Sequence, residues 1–212
     1  MDPRQLRTRN KLRQTLHRLA AAKPISRVTV AEIARDAGVT RDTVYRHGSD
    51  PVQLLADFLG EELRALGAGA EPLPAIAPPG RTVFDDGERE LLEHITRHAA
   101  IYRNALCPRL IGPVRDILID RLSEGLRAHL DAHPEIAPAA AIPPETAPAA
   151  TAPPPGGGSL DDETRTRMLV AYAAAGTVAA IEEWLRAGDL DAPEAAASAV
   201  IAASPEWWLG RR

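Results

Sequence analysis

The stretch T-V-A-E-I-A-R-D-A-G-V-T-R-D-T-V-Y-R-H-G-S-D-P, residues 29 to 51, constrains the fold more than any other part of the chain. Its punctuation is dense. Thr29 with Glu32 three positions later is a capping box, in which the hydroxyl accepts from the backbone and the carboxylate reaches back. Gly38 supplies a left-handed stop. Thr40 caps a second short helix, roughly Arg41 to His47. Asp50-Pro51 starts a further helix, a cap followed by proline in the first helical position. Two short helices joined by a tight glycine turn form a helix-turn-helix. Ala34 must be small because the second helix crosses over it, and Ile33, Val39 and Val44 pack between the two. The outward positions are then Thr40, Arg41, Asp42, Thr43, Tyr45, Arg46 and His47. A helix with such donors fits the DNA major groove, where they meet base edges and phosphates.

The rest of the chain reads as helix. Aromatic content is only 4%, so alanine and leucine carry the core, which favours helices over strands. Leu12, Leu16, Leu19 and Ala20 recur at helical spacing, and that helix ends near Pro24. Val52, Leu55, Leu59 and Leu63 mark the helix after Pro51. A Gly/Pro-dense connector over 67–81 precedes a helix over 88–106. A break between Pro108 and Pro113 leads into another helix over 114–130. Residues 134–159 hold eight prolines and then Gly156-Gly157-Gly158, which predicts a flexible, partly extended insert. Helices follow over about 161–187 and 193–203. The expected fold is all-α: a three-helix helix-turn-helix domain over 1–50, then a second helical domain over 51–212.

Charge separates these two parts. Residues 1–60 hold 11 basic against 6 acidic side chains, and residues 61–212 hold 14 against 23. A basic segment on an acidic body suits nucleic acid at one end only. A single cysteine, Cys107, excludes an intrachain disulfide and fits a reducing compartment. It reads as a plain buried thiol. The first residues lack the apolar core of a signal peptide, and the longest uncharged apolar run, 168–181, is short for a bilayer span. A cytoplasmic protein without membrane contact is therefore expected. No Ser/His/Asp set and no phosphate loop is present, so neither an enzyme nor a cofactor is expected.

The string Thr29 to His47, with T…E-I-A, A-G-V and Y-x-H in order and without gaps, resembles the TetR family of transcriptional repressors. The resemblance covers residues 10–63. It extends more loosely to A-Y-A-A-A-G at 171–176 and E-E-W-L at 182–185. It implies phosphate contacts for Thr29, Thr40, Tyr45 and His47, and base-facing roles for Arg41, Asp42 and Thr43. Arg41 can pair with guanine and Thr43 can touch a thymine methyl. Asp42 either accepts from cytosine or orients Arg41, and Arg46 is open between base and phosphate. The chain departs from the family at Gly48, where an aromatic is usual, and at Asp50, where a lysine usually meets a phosphate. These two residues motivate a second reading: a small-molecule-binding or interaction protein of the same fold with weakened or lost DNA binding. Restoring both in a Gly48→Phe, Asp50→Lys double variant is the test that the sequence suggests.

In the C-terminal half, 168–181 is apolar nearly all round and rich in small residues, so it must be buried on two sides. With 193–203 it suits a four-helix homodimer interface, through about 164–186 and 193–203. Two recognition helices about 34–36 Å apart would then read a palindromic double-stranded operator. By resemblance, the helices over 88–130 enclose a pocket for a small-molecule effector, lined by Leu92, Ile95, His98, Ala99, Tyr102, Leu106 and Leu122. His94 and His98 have the spacing of a two-histidine metal pair, but no third ligand is evident nearby in sequence, so no metal is expected.

Overall fold

The computed structural model describes residues 3–66, 73–79, 81–107, 109–136, 161–187, 190, 192–204 and 209. Among them are nine α-helices and no strand: α1 Pro3–Ala22, α2 Val30–Ala37, α3 Arg41–Tyr45, α4 Pro51–Ala65, α5 Asp85–Arg97, α6 Ala99–Asn104, α7 Gly112–Ala132, α8 Asp162–Ala187 and α9 Pro193–Ala203. Most of the proposed insert, residues 137–159, and Trp207-Trp208 lie outside the described residues, whereas 134–136 form a single 3-10 turn.

Helix α4 is the centre of the molecule. Leu54, Leu55, Ala56, Phe58, Leu59, Gly60 and Leu63 are all buried, so it is covered on most sides. It packs on α1 and along α7. Both of its ends are satisfied by side chains. Asp50 Oδ1 accepts from the Val52 and Gln53 amides at 2.8 and 3.0 Å. At the other end Arg121 of α7 donates to the Leu63 and Leu66 carbonyls at 3.1 Å each, placing a cation where the last carbonyls need donors. Helix α1 is closed in the same way: the Asn104 amide of α6 donates to Ala20 and Ala21 carbonyls at 2.9 Å. One buried cluster runs from Leu12 through Phe58 and Tyr102 to Leu185 and Ala197, so the helices around the helix-turn-helix share a core with the body.

Three expectations are corrected. The helix foreseen over 88–106 is two helices, because His98 leaves helical dihedrals at φ −106° and ψ 23°. A straight helix cannot follow both partners: α5 packs on α9 and α6 packs on α1. Cys107 is exposed, not buried. It sits in the tight turn closed by the Leu106–Leu110 bridge, with its amide donating to the Arg109 carbonyl at 2.7 Å. Finally, α8 is long and apolar enough by composition to cross a membrane, although its uncharged run is short. Core helices of soluble proteins have the same composition, and the Val170, Ala174, Val178, Ile181 and Leu185 stripe of α8 is buried within the chain.

Two buried carboxylates behave differently. Glu182 of α8 is 2% exposed, accepts from the Leu110 amide at 3.1 Å and lies 3.5 Å from Arg115 Nε. It thereby ties the 106–110 turn to α8. Its replacement by alanine leaves the buried Leu110 amide without an acceptor and Arg115 without its counter-charge, and should cost about 2–4 kcal/mol in urea unfolding. Glu88 of α5 has a buried Oε2 with no hydrogen-bond partner. Burial, reinforced by the Asp85 charge, pushes its carboxyl up to about 7 from 4.5. Below pH 4.5 it is protonated in both folded and unfolded chains; as pH rises towards 7 the unfolded chain ionises first and stability falls. Glu88→Gln should therefore stabilise the fold by about 2–3 kcal/mol at pH 8, with the gain vanishing near pH 4 in parallel melts.

Candidate nucleic-acid interface

The helix-turn-helix forms as its residues dictate. The Thr29 hydroxyl accepts from the Glu32 amide at 3.2 Å while Glu32 Oε2 accepts from the Thr29 amide at 3.0 Å, completing the capping box. Gly38 adopts φ 66°, the left-handed region that a side chain resists, and its amide closes α2 onto Ala34 and Arg35. Ile33, Ala34 and Val44 are buried and Val39 is partly so, which sets α3 across α2. Ion pairs brace the unit from outside: Arg18 to Asp36 at 2.8 Å and Lys23 to Glu32 at 2.7 Å.

On α3 the outward residues share one face. Thr40 is the N-cap, accepting from the Thr43 amide at 3.2 Å, and the two hydroxyls lie 2.9 Å apart. Arg46 donates to the Thr43 hydroxyl at 3.1 Å. The hydroxyls are thus held in place by one another and by a guanidinium. Arg41, Asp42 and Tyr45 are exposed, and none makes a side-chain hydrogen bond among the described residues; Arg41 is not paired with Asp42. Tyr45 is 57% exposed, unusual for an aromatic in a chain with so few. His47 follows α3 and is half-buried. Burial, then the Arg9 and Arg46 charges, holds its imidazole below the usual range, so it is neutral near pH 7 and offers a neutral N–H. Thr29 lies at the start of α2, exposed. Arg9 was not foreseen: it pairs with Glu61, stacks 5.0 Å above the Phe58 ring and adds positive charge near His47.

Gly48 and Asp50 have structural causes. A Cβ at Gly48 would lie 3.0 Å from both Cβ and Cδ1 of Leu54 and 3.4 Å from its Cα. Glycine is needed there for space, since its φ is not positive. Asp50 is the cap that starts α4. The double variant suggested by the sequence would therefore wedge a ring against Leu54 and remove the cap at once, so its failure to bind DNA would be uninformative.

The expected pocket lining behaves as core. Leu92, Ile95 and Tyr102 are buried, and Ala99, Leu106 and Leu122 pack partly buried against the same cluster. His98 instead turns onto Glu62 at 3.1 Å. A cavity of about 420 Å3 opens elsewhere, between α5 and α9, lined by Asp85, Arg89, Glu194, Ser198 and Ile201, and none of the expected residues reaches it. All of the expected lining residues except His98 thus pack in or against one buried cluster.

Residues 13–49 match the family described as bacterial regulatory proteins, tetR family. The fold is similar to that of the dihydroxyacetone kinase operon activator DhaS, with a TM-score of 0.56 and 11% identity over 92% of this chain and 94% of that one. No curated protein matches the chain.

Gly48→Ala should destabilise the fold by about 1–3 kcal/mol, because Leu54 is fully buried and cannot retreat. Asp50→Ala should cost about 0.5–2 kcal/mol through the lost cap. Thermal unfolding of both variants checks these values.

Proposed function

We propose that this chain, a TetR-family transcriptional regulator by its helix-turn-helix, binds a palindromic operator as a homodimer and represses from it. The observation that carries this reading is the exposed face of α3, with Arg41, Asp42 and Tyr45 unpaired beside a fixed Thr40–Thr43–Arg46 hydrogen-bond set. Such a face is polar, rigid and directed away from the core, as base readout requires. Arg41 and Thr43 address base edges, Asp42 accepts from cytosine, and Thr29, Thr40, Tyr45 and His47 address phosphates. Arg46, already bonded to Thr43, is best placed for a phosphate. The acidic body and the basic first 60 residues orient the molecule on DNA.

Dimerisation is supported by α8. Its outer side carries Met168 at 57% exposure and Tyr172 at 80%, continued by Gly176, Ala179 and Ala180. On α9, Ala195, Ala199 and Ala202 are exposed too. A second copy of the same two helices covers these small and apolar side chains in a four-helix contact, with the helix-turn-helix units at the far ends. This also accounts for an apolar α8 in a cytoplasmic protein. An effector acts by binding the body more tightly in a spacing of the two α3 helices that misfits the operator.

Footprinting and gel shifts on DNA upstream of the chain's own gene test the reading. A protected inverted repeat is expected, with affinity falling as salt rises. Arg41→Ala should weaken operator binding by about 1–3 kcal/mol and leave non-specific binding nearly unchanged. Absence of any protected repeat at low salt rejects the proposal.

A further inference from the structure

At the junction of α1, α4 and α5, four ionisable side chains meet that are far apart in sequence. Glu62 of α4 faces three imidazoles: His98 Nε2 lies 3.1 Å from its Oε2, His17 Nε2 lies 3.7 Å from its Oε1, and His94 Nδ1 lies 4.0 Å from Oε2. The His17 and His98 rings are 5.2 Å apart, and those of His94 and His98 are 4.7 Å apart. One ligand atom each from His17, Glu62 and His98 falls within 4.8 Å of the others. Ordinary hydrogen bonding does not complete this group. His17 Nε2 is buried and has no hydrogen-bond partner.

We propose that His17, Glu62 and His98 form a site for a divalent transition-metal ion of the zinc type. Two imidazoles and one carboxylate are a donor set that such an ion takes in tetrahedral geometry, with a fourth position left for water. Ligand atoms about 2.0–2.1 Å from a tetrahedral ion lie about 3.3 Å apart. The three ligand atoms lie within 4.8 Å of one another, with one imidazole near each carboxylate oxygen, so side-chain rotations of the order of an ångström bring them to that separation. His94 supports the site from behind. Its Nε2 meets the buried Tyr102 hydroxyl at 3.1 Å, which fixes the ring with Nδ1 towards Glu62.

The ion would join α1 and α4, which carry the helix-turn-helix, to the hinge between α5 and α6. Any effect of this on DNA binding rests on the preceding reading; metal binding itself does not, and it is measured without DNA. The purified full chain is stripped with a chelator and titrated with Zn2+ against a chromophoric competitor. One ion per chain is expected. His17→Ala and His98→Gln should each weaken binding at least about 100-fold, more than the loss of an outer-shell group. Cys107→Ser and His133→Gln, controls at an exposed thiol and at a histidine of another cluster, should leave it unchanged. Variants that bind like the unaltered chain, or an unaltered chain that takes up no ion, overturn the proposal. If circular dichroism shows that the variants unfold, zinc-edge absorption on the unaltered chain decides. Imidazole and carboxylate scatterers at about 2.0–2.1 Å support the site, and a sulfur at about 2.3 Å overturns it.

Discussion

The approach of the 48–51 turn to α4 is the contact on which the DNA-facing half depends. Gly48 lies so close to Leu54 that a single added carbon would collide, and Asp50 then caps the helix to which Leu54 belongs. This sets where α3 ends relative to α4, and α4 is the buried helix on which α1 and α7 pack. Its N-terminus is held by its own aspartate and its C-terminus by Arg121 from α7. A shift of α7 against α4 would therefore be felt at α3 without any change within the helix-turn-helix. Packed interiors transmit such displacements because they have little free volume.

The same helix carries Glu62, one turn from the end that Arg121 closes. The carboxylate faces α1 on one side and the α5–α6 hinge on the other. Three structural elements thus meet at a charge that is only half-buried. Elsewhere the interior is mostly apolar, and two of the exceptions are tied down: Glu182 holds the 106–110 turn, and His94 bonds Tyr102.

Much of this was legible in the chain of letters. The capping box at Thr29, the left-handed Gly38, the caps at Thr40 and Asp50 and the outward face of α3 are local features, determined by residues within four positions of one another. Helix α9 falls on the expected residues for the same reason, with proline at its start. The break at His98 was not legible, because its cause is that α5 and α6 follow different partners. The exposure of Cys107 was hidden because its turn is anchored from α8, where Glu182 accepts from the Leu110 amide. Gly48 looked like the loss of an aromatic, since its requirement is a distance to Leu54 and not a backbone angle.

The sequence alone determined the helical class, the helix-turn-helix and the identity of its exposed polar face, because capping and periodicity act over one or two turns. The tertiary structure decided which polar groups meet. His94 and His98 read as an incomplete metal pair, since the partners that matter, His17 and Glu62, come from helices α1 and α4. Likewise, side chains that looked like pocket walls joined the core once α5 packed on α9, α6 on α1 and α8, and α7 on α4 and α8. Periodicity tells which side of a helix is apolar; only packing decides whether that side meets another helix or a cavity.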